Sequence, residues 1–98
     1  MTKEYTLHSG TVRLLKEVVS IGGWNTDLTD TYYAGKLVDE LPDIVMNNKE
    51  EALAKVTVTL SDKQFKIIGK AFKFHSEKGA IPPSPFAIEA IETFELLK

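Results

Sequence analysis

The sequence predicts an α+β domain that is mostly helical, with four to five helices and a short two-stranded β-ribbon in the order β-α-α-α-β-α-α. Apolar residues recur at three- and four-residue spacing over most of the chain, which is typical of amphipathic helices. Residues 5–7 and 56–60 alternate instead, and the second segment is rich in β-branched side chains. Because two strands this short are not stable alone, we expect them to pair with each other and to pack against the helices.

The first half of the chain is predicted to contain one strand and three helices. Ser9 is a suitable N-cap for a helix that ends at about Ile21, just before a pair of glycines. A second helix is predicted over about 31–41, where Pro42 stops it, and a short third one over 49–54.

The second half contains the clearest boundaries. Ser61 follows the second strand and forms a capping box with Gln64, which begins a helix that Gly79 ends. Pro85, preceded by a serine, is suited to the first position of a last helix that reaches Leu97. We expect the fourth helix to be the most buried element, with three of its side chains in the core: Phe65, Ile68 and Phe72.

Composition indicates one globular domain that spans residues 1–98. The chain is 43% hydrophobic and 27% charged, which are ordinary values for such a domain. It has no cysteine, which excludes disulfides and cysteine-based zinc sites. No apolar run approaches the roughly 20 residues that a membrane span needs, and residues 1–20 lack the apolar core of a signal peptide. We therefore expect a cytoplasmic protein without membrane contact.

Catalytic and metal-binding patterns are not evident in the sequence. His8 precedes Ser9, but neighbouring strand residues point to opposite faces, so this adjacency does not make a nucleophile and its base. His75 has no second metal ligand one turn away, and the glycines fit no nucleotide-binding motif. We expect no catalytic residues, no metal and no cofactor.

A stripe of lysines lies on the predicted fourth helix. Lys63, Lys66, Lys70 and Lys73 are spaced i, i+3, i+7 and i+10, so they share one face. Such a face is usually solvated, but it also suits an acidic protein surface, an anionic small ligand or nucleic acid. The stripe has no arginine and no aromatic residue of its own, and the formal net charge is −2, which makes nucleic acid the least favoured of these partners.

An aromatic cluster flanks the polar loop between the first two helices. Rigid rings such as Trp24, Tyr32 and Tyr33 offer a large contact area at low entropic cost, although Trp24 alone could instead fill the end of the core. Tyr32 and Tyr33 point about 100° apart on a helix, so one of them should lie near the surface. The predicted binding site comprises seven residues: Trp24, Asn25, Tyr32, Tyr33, Lys66, Lys70 and Lys73.

The last helix carries an acidic edge that could meet the lysine stripe of another copy. Glu89, Glu92 and Glu95 recur at three-residue spacing, with Phe94 or Leu97 available to supply affinity. We therefore expect a homo-oligomer.

These observations favour a non-enzymatic binding protein. Small domains of this kind include viral and mobile-element accessory proteins that inhibit or sequester a host component through protein–protein contact, and we expect a protein partner. Two alternatives stay open: an oligomeric sponge for an anionic nucleotide-like small molecule, and a nucleic-acid-binding regulator that uses the lysine stripe.

Overall fold

The computed structural model of the chain describes residues 2–21, 24 and 28–94. Within them, seven elements follow one another in the predicted order, so the predicted fold class is confirmed. Their bounds are β1 Thr2–His8, α1 Ser9–Ser20, α2 Leu28–Glu40, α3 Lys49–Leu53, β2 Lys55–Ser61, α4 Asp62–Glu77 and α5 Pro85–Thr93.

The two strands pair with each other, as predicted, and do so antiparallel. Thr2 lies opposite Ser61, and on the solvent side the hydroxyl oxygens of Thr6 and Thr57 are 3.1 Å apart. β1 begins at Thr2 rather than at the predicted Tyr5, because pairing with β2 gives the exposed start of β1 a hydrogen-bonding partner. Three side chains of this ribbon are buried on its core side: Leu7, Val58 and Leu60.

Helix α1 lies at the centre of the fold and contacts every other element. Seven of its twelve residues are buried, whereas five of the sixteen residues of α4 are. The expectation that α4 is the most buried element is therefore wrong, because its lysines keep one face in solvent. The buried residues of α1 are Ser9, Gly10, Thr11, Val12, Leu15, Val18 and Val19.

Close packing of α5 on the start of α1 depends on small residues. A Cβ atom added to Gly10 would lie 2.6 Å from ring atoms of Phe86, far inside van der Waals contact. On α5, Ala87 and Ala90 are the buried residues. The first turn of α1 and the start of α5 thus approach closely because Gly10, which has no side chain, leaves room for the Phe86 ring.

Two predicted helix starts are confirmed in detail. The Ser61 hydroxyl accepts a hydrogen bond from the Gln64 amide at 3.1 Å, and the Ser61 amide donates to the Gln64 side chain at 2.8 Å, which completes the capping box of α4. At α5, the Ser84 hydroxyl accepts a hydrogen bond from the backbone, and Pro85 occupies the first turn. Gly79, after α4, has a φ of 70°, a conformation that suits glycine.

Two other helix starts differ from the prediction. Ser9 is not the N-cap of α1, because β1 runs directly into the helix and His8 takes the cap position. The Ser9 hydroxyl instead donates a hydrogen bond to the carbonyl of Ala54 at 2.8 Å, which ties α1 to the start of β2. Helix α2 begins at Leu28, earlier than the predicted residue 31.

The core predicted for α4 is confirmed at two of three positions. Ile68 and Phe72 are each 1% exposed. Phe65 is only half-buried, because it lies at the edge of the core against two other rings. Its ring centroid lies 5.8 Å from that of Tyr5 and 4.9 Å from that of Phe94.

The radius of gyration, 12.7 Å, is typical of one domain of about 100 residues. Among the helices that the structure describes, none has both the length and the apolar character that crossing a bilayer requires.

The contact at Gly10 generates a stability prediction. Gly10→Ala forces the Phe86 ring away from α1 and should lower the free energy of unfolding by about 1 to 3 kcal/mol. Gly35→Ala is the matched control, since a Cβ atom there meets nothing within 4 Å. Because alanine is the better helix former, the control should gain about 0.5 to 1 kcal/mol. Urea denaturation measures the free energy of unfolding of both variants. A Gly10→Ala protein as stable as the wild type would contradict the close packing of Phe86 on Gly10.

Candidate functional site

Helix α2 is the least buried of the longer helices. Only Ala34 and Leu37 of its thirteen residues are buried. On its outer side Leu28 is 87% exposed and Tyr32, one turn later, is 61% exposed. Two large side chains at this spacing form a continuous exposed patch on one helix face.

A row of cations and rings continues from this patch onto α4. The Lys36 ammonium lies 5.9 Å from the ring centroid of Tyr32, and the rings of Tyr32 and Tyr33 meet edge to face at 5.3 Å. The Lys63 ammonium in turn lies 5.1 Å from the ring centroid of Tyr33. We call these four residues, Tyr32, Tyr33, Lys36 and Lys63, the tyrosine–lysine surface.

The remaining lysines of the stripe have different surroundings. Lys70 pairs with Asp30, whose side chain is 13% exposed, so this contact joins α4 to the first turn of α2. Gln64 donates a second side-chain hydrogen bond between the same helices, to Glu40. Lys66 and Lys73 are exposed. Within the stripe, Lys70 thus connects two helices, whereas Lys66 and Lys73 face solvent.

Trp24 belongs to the core rather than to this surface. It is 2% exposed, and its ring Nε1–H donates a hydrogen bond to the carbonyl of Val19 at 3.2 Å. His75 is buried in the same region, with its Nε2 atom 3.1 Å from the carbonyl of Ile21. Both rings therefore satisfy carbonyls at the end of α1, which have no partner within the helix.

The structure brings together part of the predicted binding site. Tyr32 and Tyr33 contact each other, while Trp24 is inaccessible and Asn25 lies outside the described residues. Sequence reasoning left out Lys36, although its position four residues after Tyr32 on a helix could have indicated it. Lys63 was recognised only as part of the stripe. Its contact with Tyr33 joins distant parts of the chain, so no local pattern predicts it.

Three open depressions on the surface lie elsewhere. One of about 420 Å³ lies between α1 and the segment after α2, one of about 370 Å³ between α1 and α2, and one of about 360 Å³ between the end of α2 and β2. None of the three is lined by the tyrosine–lysine surface. In the first, Lys16 already pairs with Asp43, and the hydrogen bond from Lys16 lowers the pKa of the Asp43 carboxyl.

His8 and Glu89 form the clearest acid–base pair of the described residues. The carboxylate of Glu89 accepts one hydrogen bond from the His8 amide at 2.8 Å and one from the His8 ring Nδ1 at 2.7 Å. Nearby hydroxyls do not extend the pair into a nucleophilic site, since Ser9 donates to a backbone carbonyl and Thr11 is fully buried. The pair fastens α5 to the junction of β1 and α1.

The contact between His8 and Glu89 affects the pKa of the Glu89 carboxyl. Burial raises the pKa of the Glu89 carboxyl, but the hydrogen bonds that the carboxylate accepts, of which the one from the His8 amide contributes most, together outweigh burial, so the pKa is lowered overall. The ionised form is therefore favoured in the folded protein.

The acidic edge expected on the last helix is not a continuous stripe. Glu89 is turned towards His8, and Glu95 lies outside the described residues. Phe94 is 4% exposed, so it cannot supply affinity to another copy, and Leu97 also lies outside the described residues. The edge therefore does not support the expected mode of self-association.

No group of three or more histidine or acidic side chains among the described residues is arranged to hold a metal ion.

The lowered pKa of Glu89 predicts a pH-dependent contribution to stability. A lowered pKa stabilises the fold at pH values above the carboxyl's ordinary range, and this contribution disappears as pH falls through the folded-state pKa. Glu89→Gln should therefore cost roughly 1 to 2 kcal/mol at pH 7, and the difference from wild type should shrink below about pH 4. Urea denaturation at several pH values tests this, with Glu92→Gln as the control because Glu92 is exposed one turn after Glu89 on the same helix. A pH-independent difference would contradict the assignment.

Comparison of the chain with protein-family models, with curated proteins and with solved structures gives no match. Its function is therefore inferred from its own residues.

Proposed function

We propose that the chain is a non-enzymatic protein-binding domain that covers an acidic patch of a partner protein with the tyrosine–lysine surface, and thereby inhibits or sequesters that partner. The observation that carries the proposal is the row Lys36–Tyr32–Tyr33–Lys63, in which cations and rings contact one another across two helices.

The row favours a protein partner because it is exposed and its rings pack against each other. Tyr32 is 61% exposed, yet its ring is supported by Tyr33, which packs against the core. A supported aromatic ring loses little entropy on binding, which is why tyrosine is frequent at energetically dominant positions of interfaces. Leu28, 87% exposed one turn before Tyr32, adds apolar area beside it.

The charges favour an acidic partner. Lys36 and Lys63 lie against the two rings, and Lys66 and Lys73 are exposed further along the face of α4. Carboxylates of a partner could therefore pair with several ammonium groups around one central aromatic contact. Such complementarity raises the association rate and selects the partner more than it adds affinity.

A small anionic ligand is the second candidate, since lysines and tyrosines also recognise nucleotides. Small-molecule sites are usually concave and bury most of the ligand. Leu28 and Tyr32 are 87% and 61% exposed on one helix face, which suits a broad protein contact better than a buried nucleotide.

We predict that Tyr32→Ala weakens binding to an acidic probe without unfolding the domain. The probe is the set of peptides selected from a displayed random library against the wild-type protein, and they should be enriched in Asp and Glu beside an apolar residue. Loss of a dominant aromatic contact costs about 2 kcal/mol, or roughly 30-fold in affinity. Lys63→Glu should also weaken binding, and added salt should lower the affinity of the wild type.

Ile88→Ala is the matched control, because Ile88 is 55% exposed on α5 and lies outside the proposed surface. Circular dichroism and thermal melting establish that each variant folds. Equal peptide binding by the Tyr32→Ala and Ile88→Ala proteins would contradict the proposal. So would a nucleotide that raises the melting temperature of the wild type but not that of Lys63→Glu, since that result would favour the sponge.

A further inference from the structure

Strand β2 has one edge that no described strand covers. The sheet consists of β1 and β2 only, and every residue of β2 from Lys55 to Ser61 pairs with β1 on the other side. The backbone groups of residues 55–60 that point away from β1 make no hydrogen bond to another described residue, so they are available to an additional strand, whereas the Ser61 amide already donates to Gln64.

The two edges of the ribbon differ in how they are protected. β1 carries Lys3 and Glu4, and charged side chains on an edge oppose pairing with another strand. Residues 56–61 of β2 carry no charge and are mostly β-branched. A depression of about 360 Å³ lies between β2 and the end of α2, so β2 borders open space on this side.

We propose that the free edge of β2 pairs antiparallel with the β2 edge of a second copy of this chain, which produces a four-stranded sheet in the order β1-β2-β2-β1. This assembly does not depend on the tyrosine–lysine surface.

The register follows from symmetry and from burial. A two-fold axis through Val58, the middle residue of β2, places residues 55–61 of the two copies opposite each other and keeps the core faces of both copies on one side of the sheet, while the Ser61 amide stays hydrogen-bonded to Gln64. Thr57 of one copy then lies opposite Thr59 of the other, and both residues are exposed in the single chain. A shift by one residue would turn the core side chains of one copy towards solvent.

Charge complementarity at both ends of the strand favours a second copy over an unrelated strand. In this register Lys55 lies opposite Ser61 of the other copy, next to Asp62. The two-fold axis repeats this arrangement, so each end of the new ladder combines one lysine and one aspartate. The result also extends a two-stranded ribbon, which is a marginal unit, to a sheet of ordinary size.

Sedimentation equilibrium over micromolar concentrations tests the proposal. The wild type should reach twice the chain mass, and Thr57→Lys combined with Thr59→Lys should raise the dimer dissociation constant by at least about tenfold, because two like-charge pairs then face each other. Thr6→Lys is the matched control: it adds a lysine to the same exposed face and removes the same threonine contact, but on β1. The control should dimerise like the wild type.

A cross-linking experiment tests the pairing of the two β2 edges even if the double variant does not fold. The chain has no cysteine, so single cysteines report only on the positions chosen. A mixture of the Thr57→Cys and Thr59→Cys proteins should form a disulfide-linked dimer more rapidly than either protein alone. A monomeric wild type at high micromolar concentration, a folded double variant that still dimerises, or cross-linking no faster in the mixture would overturn the proposal.

Discussion

The central position of α1, which contacts every other element, is the constraint on which the rest of the structure depends. A helix at the centre of so small a domain must offer packing surface to several neighbours at once. It does so with small residues in its first turn, where Gly10 lies beneath the ring of Phe86, and with aliphatic residues further along. The solvent-exposed side of the helix is a narrow strip, on which Arg13 and Glu17 form an ion pair. Each neighbouring element is positioned by the surface that α1 presents to it.

The same constraint explains why α2 is available for binding. Helix α1 contributes seven buried residues and α4 five, whereas α2 contributes only two and leaves its outer face to solvent. Two polar contacts join it to α4, one between Asp30 and Lys70 and one between Glu40 and Gln64 near the other end of α2. Because these contacts hold α2 near both ends and the buried Leu37 packs beneath it, the helix presents Tyr32 to solvent in a fixed position. The proposed contact surface is thus a consequence of how the core is divided among the helices.

Local residue patterns in the sequence were sufficient to predict much of this fold. Ser61 with Gln64, and Ser84 before Pro85, marked helix starts because capping involves residues close in sequence. The central position of α1 could not be foreseen in this way, since the close approach of Phe86 to Gly10 depends on tertiary packing. Within the candidate site, the exposure of one tyrosine followed from helix geometry. The burial of Trp24 and the contact of Lys63 with Tyr33 follow from long-range packing, which the spacing of residues does not encode.

Native-state hydrogen exchange of the backbone amides tests the central role of α1 most directly. If α1 is the element on which the others pack, the amides of its buried residues, such as Leu15, should exchange only through global unfolding, with the highest opening free energy in the chain. The amides of α2 should open at lower free energy, because that helix is held at the periphery. The account is contradicted if α1 amides exchange through an opening that leaves the amides around Phe72 in α4 protected.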